Sequence, residues 1–281
     1  MAVNQSSNYA PISVVIRNLN EGASLRKVLS ALRSQDLGVA EIIVVDNEST
    51  DDSVEVAREY GARLVSLPRQ SFSYGRALNV GIRAASQPFV LNLSAHSIPL
   101  GRTFIGDVLE PFTDPVVGAV ACRDVGKKDE AADWPVPRRL TGAVDWDTLF
   151  TKGLVNSAAV IRRDLWAKIP FDEFLPFSED AHWSRKVLTA GYDIVVSTAM
   201  YAYLRDHNFL EVVRRRDREG LASYQISGQY PSYGLKRIAR AIFVGSPRAA
   251  LRVIAYECLL WASALTLSLR ARRASRKGLV Y

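Results

Sequence analysis

Two adjacent carboxylates, Glu179 and Asp180, open a helical stretch (EDAHWSRKVLTA) that Gly191 ends. A carboxylate at a helix start is kept ionised by the helix dipole. Held at a reaction site, it can take the proton of a hydroxyl. Ser178 just before the pair also allows a plain capping box, and spacing alone leaves both readings open. Asp46, in DNESTD, ends an apolar run and can accept hydrogen bonds from a nucleobase imide or ribose hydroxyls, while Ser49 or Asp51 can cap a following helix. In GRALNVG, Arg76, Asn79 and Arg83 fall three and four apart on one helical face. Arginine suits bidentate phosphate contact and glycine allows close backbone approach. A solvated helix face with glycines for packing is the plainer alternative. His96, in Ser94-Ala95-His96, can ligate a divalent ion or donate to a diphosphate. A lone histidine is more often structural, and with only His96, His182 and His207 in the chain the metal inventory is thin.

These residues need a frame. Ile12–Ile16 and Glu41–Val45 are short β-branched runs that read as buried strands, followed by Arg63–Leu67 and Phe89–Leu93. Between them, helical spacing appears at Ser24–Leu32, Ser53–Tyr60 and Tyr74–Ala85. Strict alternation of strand and helix predicts an α/β fold with a mostly parallel sheet flanked by helices. Ligands bind such sheets at the carboxyl ends of the strands, where the loops after Ile16, Val45 and Leu93 fall. Past residue 100 the pattern loosens: Val116–Ala121, Asn156–Ile161 and Ile194–Ser197 read as strands, Phe209–Tyr224 as a charged helix, and 123–150 as a long functional loop.

Composition narrows the class. The 281 residues are 48% hydrophobic and 23% charged, ordinary globular values. MAVNQSSNYA has no basic start and no apolar run, so no signal peptide is expected. Cys122 and Cys258 suggest neither a disulfide framework nor a thiolate metal site, which fits a cytoplasmic location. Of the net charge of +7, Leu235–Tyr281 carries +9, from ten Lys/Arg against Glu257 alone. The near-neutral remainder has no basic stripe interleaved with aromatics, so nucleic acid is not an expected partner.

Taken in order, VVIRNLNEG, EIIVVDNESTDDS, SYGRALNVGIRAA, FVLNLSAH, NSAAVIRRDLW and FSEDAHWSRKVLTAGYDI resemble the family-2 inverting glycosyltransferases of the GT-A fold. The match covers roughly residues 11–210, and its SYGRALN, LSAH and SEDAHW segments are similar to bacterial rhamnosyltransferase-like members. The resemblance implies a GT-A domain over 1–234, with 235–281 as a basic helical extension. It also implies transfer of a sugar from a nucleotide-sugar donor to a glycan or lipid-linked acceptor. Asp180, with Glu179 before it, stands at the family's catalytic base. Asp46 stands where the family's strand-end aspartate holds base and ribose. Arg17, Asn18 and Glu21 lie in the first nucleotide-contacting loop, and Arg76 and Asn79 match the donor-binding helix. Ser94 and Trp183 fall within the substrate-binding motifs.

One departure stands out. Relatives place an Asp-x-Asp motif after the fourth strand, where this chain has Ser94-Ala95-His96. If a divalent cation (Mn²⁺ or Mg²⁺) is used, His96 and His207 are the expected protein ligands, and an imidazole favours Mn²⁺. Otherwise Arg76, His96 and His207 would neutralise the leaving diphosphate. Val253–Leu269 is apolar but contains Glu257 and is short for a membrane span. With its flanking arginines it suits a helix lying on an anionic membrane surface, or else a helix packed on the body or on a homodimer partner. The rivals are a non-catalytic nucleotide-sugar-binding relative, which the Glu179-Asp180 pair argues against, and a sugar nucleotidyltransferase. The latter would need a glycine-rich basic loop where Arg17-Asn18-Leu19-Asn20-Glu21 stands.

Overall fold

The computed structural model describes residues 9–126, 137–146, 148–149, 153–205 and 209–227. The β-branched runs form strands because alternate side chains can be buried on both faces of a sheet. β1 (Tyr9–Asn18), β2 (Gly38–Asp46), β3 (Arg63–Ser66) and β4 (Phe89–Ser94) pair in the order β3-β2-β1-β4, all parallel. The crossovers are α1 (Gly22–Arg33), α2 (Ser53–Glu59) and α3 (Tyr74–Ala84). α1 buries Leu25, Val28, Leu29 and Leu32, the helical stripe expected from the sequence. Gly81 of α3 lies so close to β1 that a Cβ there would sit 2.3 Å from a Val15 methyl.

Beyond β4 the sheet is mixed rather than mostly parallel. β5 (Ser97–Pro99) is followed by α4 (Phe104–Leu109), β6 (Val117–Asp124), β7 (Arg138–Leu140) and β8 (Ala158–Arg162). α5 (Arg163–Lys168), α6 (Glu179–Thr189) and β9 (Asp193–Tyr203) come next. β8 runs antiparallel to both β4 and β6, β9 is parallel to β6, and β5 and β7 pair with β9 antiparallel. Short apolar runs do not report strand direction, so the alternation that held for the first four strands could not be extended. β7 lies inside the stretch 123–150 expected to be a loop, and β9 is longer than Ile194–Ser197. Two apolar layers cover the sheet. One packs α1, α2 and α4 against Val14, Ile16, Leu91 and Leu93; the other packs α3, α5 and α6 against Val15, Val45 and Ile161.

The chain divides into two compact units. Residues up to 174 together with 179–205 form the sheet and its helices; 175–178 belong with the residues from 206 onward, which include α7 (Phe209–Ser227). Within this second unit the Arg215 guanidinium lies 5.3 Å from the Phe177 ring centroid and pairs with Glu219 one turn on at 2.9 Å. The boundary expected at 234/235 and the basic segment 235–281 lie outside the described residues. No helix among the described residues is long and apolar enough to cross a membrane.

Candidate active site

Register brings the first site residues together. In the β1–β2 ladder Asn18 stands opposite Asp46, and in the β1–β4 ladder Arg17 stands opposite Ser94. Asp46 Oδ1 accepts from Asn18 Nδ2 at 3.0 Å and its Oδ2 from the Ser49 N–H at 3.0 Å. Ser49 Oγ in turn accepts from Asn18 Nδ2 at 3.1 Å and from the Asn20 N–H at 2.9 Å. Ser49 therefore braces the Asp46 loop and does not cap α2. Asp51 binds the N–H groups of Ser53 and Gly22, tying the starts of α2 and α1 to one carboxylate. Asn20 and Glu48 hold left-handed backbone, φ 52° and 58°. Such non-glycine strain persists where surroundings fix it: Thr50 donates to Asn20, and Arg69 grips the Glu48 carbonyl.

The Arg17 guanidinium turns to the other side of β1. Its Nη2 donates to Ser94 Oγ at 3.2 Å and to the Asn156 carbonyl at 3.0 Å, and the group lies 5.4 Å from the Tyr74 ring centroid. Asn156 precedes β8, and because β8 is antiparallel to β4 its start lies at the carboxyl end of β4. Asn156 then meets the carboxylate pair. Its main-chain N–H donates to Asp180 Oδ2 at 3.3 Å and its Nδ2 to Glu179 Oε1 at 3.3 Å. Asp180 Oδ1 takes the Ala181 N–H at 2.8 Å. Glu179 is buried at 5% exposure, whereas Asp180 is partly exposed. Burial and the neighbouring Asp180 push the Glu179 carboxyl up to about 7, with Arg17 acting the other way. Burial also raises Asp180, opposed by the N–H groups of Ala181 and Asn156 and by Arg17. Ser178 takes left-handed backbone (φ 61°), and its buried hydroxyl finds no hydrogen-bond partner among the described residues, so the capping-box reading does not hold.

His96 follows Ala95, whose N–H is held by the Arg17 carbonyl. Its Nδ1 lies 3.3 Å from Glu21 Oε1, and its ring meets Tyr203 edge-on at 4.6 Å. Arg205 Nη1 reaches the same Glu21 oxygen at 3.4 Å; burial raises the Glu21 carboxyl and Arg205 opposes this. Among the described residues no three of His, Cys, Asp and Glu gather as a metal site. The arrangement still suits one ligand, since a carboxylate on one ring nitrogen fixes the tautomer and orientation of an imidazole that ligates through the other. His207 lies outside the described residues.

Three residues singled out in the sequence are engaged within the protein. Arg76 pairs with Glu173 at 2.8 Å and donates to the Ser71 carbonyl. Asn79, buried, donates to the Phe171 carbonyl and Glu173 and accepts from Trp166 Nε1 and the Phe171 N–H, which uses both its donor hydrogens and both oxygen lone pairs. Trp183 is 1% exposed, with Nε1 on the Ile169 carbonyl at 2.6 Å and its ring on Phe171. Gly75 supplies close approach, but to protein: a Cβ there would lie 2.0 Å from the Asp172 carbonyl oxygen. Arg76 and Asn79 thus clamp the 171–173 segment that leads to α6. Asn156 and Glu173 were not assigned roles from sequence. The apolar run after Asn156 was visible, but only the strand pairing shows what its first polar residue faces.

Residues 13–169 match the model of glycosyl transferase family 2. The chain belongs to that family. Among relatives, it is 24% identical over 196 residues to the O-antigen chain rhamnosyltransferase RfbN of Salmonella typhimurium, spanning 65% of this chain and 62% of RfbN. An uncharacterized glycosyltransferase of Mycobacterium tuberculosis is 40% identical over 136 residues, spanning 48% of this chain and 58% of that protein. The chain thus spans about six tenths of the length of these curated relatives. Among solved structures, the mannosyltransferase PcManGT from Pyrobaculum calidifontis, in complex with GDP-Man and Mn²⁺, superposes with a TM-score of 0.62 at 18% identity, over 96% of this chain and 83% of that one. The fold of this family-2 member is GT-A, as the ordered motifs led one to expect.

Proposed function

We propose that the protein is an inverting glycosyltransferase that moves a sugar, rhamnose in the leading reading, from a nucleotide-sugar donor to an acceptor hydroxyl in surface-polysaccharide or glycolipid assembly. The observation that carries the reaction type is the carboxylate pair. Asp180 is the partly exposed member, held by two N–H groups and connected through Asn156 to Arg17, which adjoins Asp46's partner Asn18 along β1. In this reading Asp46 and Asn18 hold the donor's base and ribose. The acceptor oxygen attacks the anomeric carbon as its proton passes to Asp180. The bond from that carbon to the diphosphate oxygen breaks, its electron pair leaves with the nucleoside diphosphate, and a single displacement inverts the configuration.

Glu179, buried and pushed up to about 7, keeps its proton to higher pH than an ordinary carboxyl, which limits the negative charge that the pair carries. His96 would hold a divalent cation, with Glu21 orienting its ring and the donor's oxygens completing the shell. Such a cation supplies positive charge for the departing diphosphate. The PcManGT complex with Mn²⁺ supports use of a divalent cation, as the RfbN relationship supports a rhamnosyl donor. The basic 235–281 segment supports peripheral contact with an anionic membrane from the cytoplasmic side, where a lipid-linked acceptor would lie.

Asp180→Asn tests the reading. The variant should fold and bind donor yet lose about 10²-fold or more in turnover. The wild-type product should show the anomeric configuration opposite to the donor's by NMR. Retained configuration, or an unimpaired Asp180→Asn enzyme, overturns it.

A further inference from the structure

We propose that Asn156 is the positioning residue of the transfer reaction, joining Asp180, Glu179 and Arg17 through three different groups of one side chain and its peptide bonds. This rests on Asp180 being the base. The main-chain N–H holds Asp180 Oδ2, the side-chain Nδ2 holds Glu179 Oε1, and the main-chain carbonyl receives Arg17 Nη2. The fourth group, Oδ1, accepts from Asn92 Nδ2 at 3.4 Å. Asn156 is 1% exposed and Asn92 is fully buried, so water cannot replace these bonds.

The division of labour follows from which group goes where. A main-chain N–H points at Asp180 whatever side chain stands at 156, so that carboxylate is fixed by the backbone before β8. The amide instead draws the Glu179 oxygen toward the interior, away from Asp180. Without it Glu179 loses its side-chain hydrogen bond to residue 156, and two carboxyls joined in sequence compete more closely for one proton. Among the described residues, the charged and titratable groups that act on the pair are Arg17 from β1 and Tyr201 from β9, whose hydroxyl burial raises further. Arg17 favours both anions; the Asn156 amide favours only that of Glu179. Removing the amide should therefore move the Glu179 titration upward while leaving the donor site at Asp46 untouched.

The test compares Asn156→Ala, Asn156→Asp and Asp180→Asn in the full chain. Turnover and donor KM are measured, and the glutamate carboxyl is followed by ¹³C NMR across pH. Asn156→Ala is expected to lose about tenfold in kcat, with donor KM within about twofold, and to titrate Glu179 higher by about half a pH unit or more. Asn156→Asp keeps the size but sets a third carboxyl against Glu179, and should lose at least as much. It serves equally if the alanine variant does not fold. Wild-type kcat in the variant that folds, or a loss confined to donor KM with an unmoved titration, overturns the proposal. Asp180→Asn separates the two layers. If it is impaired while Asn156 variants are not, only the role of Asn156 falls; if it is unimpaired, the base assignment falls first.

Discussion

Arg17 stands one strand from Ser94 and donates to its hydroxyl at 3.2 Å. A fixed guanidinium therefore lies at the carboxyl end of β4. The same group reaches Asn156 and, through it, the Glu179–Asp180 pair on α6. Arg17 thus links the strand-end rim to the helix start, and its charge offsets part of the cost of burying Glu179 beside Asp180. Its placement connects Asp46 and Asp180 by an unbroken run of contacts: Asp46 to Asn18, one peptide bond to Arg17, then Asn156 and Asp180.

Glu179 and Asp180 should separate in activity assays. Asp180→Asn removes the proposed proton acceptor and is expected to cost about 10²-fold in kcat. Glu179→Gln keeps the shape and the neutral state, and should cost about tenfold or less in kcat at neutral pH. Parallel kcat measurements decide; equal losses would mean that both carboxyls handle the proton.

Stability should fall as pH rises through the Glu179 titration. The folded carboxyl binds its proton up to about 7, whereas the unfolded group releases it near the ordinary glutamate value of 4.5. Between those values the folded state holds the extra proton, so its advantage is complete below the window and is lost across it. Glu179→Gln cannot ionise. Its melting temperature relative to wild type should therefore climb by several degrees from about pH 5 to about pH 8, read by thermal denaturation in matched buffers.

Donor binding should depend on the Asp46–Asn18 pair and not on Asp180. Asp46→Ala leaves the buried Asn18 amide without one of its two acceptors and removes the proposed base and ribose contact. A donor KM raised about tenfold or more, with a smaller change in kcat, is the expected split. Titration calorimetry with a nucleoside diphosphate should show the same loss.

Asn79 should behave as a structural residue. Asn79→Ala strands the buried Trp166 and Phe171 N–H donors, at about 1–3 kcal/mol for each unsatisfied group. Urea denaturation should register that loss. Donor affinity in the folded fraction should change little, since Asn79 has no hydrogen-bonding group left for a ligand.

The cation assignment predicts that exhaustive chelation abolishes transfer and that Mn²⁺ restores it better than Mg²⁺. His96→Ala should raise the Mn²⁺ concentration needed for half activity. Full turnover after chelation would leave the diphosphate to the basic side chains.

Strand-end chemistry was legible in the amino-acid order because β-branched runs and the polar loops after them are local signals. Asp46, His96 and Asp180 could be placed at loop or helix starts without knowing any distance. The helix-forming stretch GRALNVG was equally plain, yet its Arg76 and Asn79 turn to Glu173 and the 171–173 segment. Helical spacing tells which residues share a face, not what packs on it. Trp183 shows the same limit: its place in a motif is local, whereas its burial against Phe171 and Ile169 is not. By itself the sequence determined the family, the first four strands and the rim that carries the polar loops. Only the tertiary structure decided that β8 runs antiparallel to β4. That direction sets Asn156 beside Arg17 and the Glu179–Asp180 pair, a meeting of residues far apart in the chain that non-local strand pairing alone can produce.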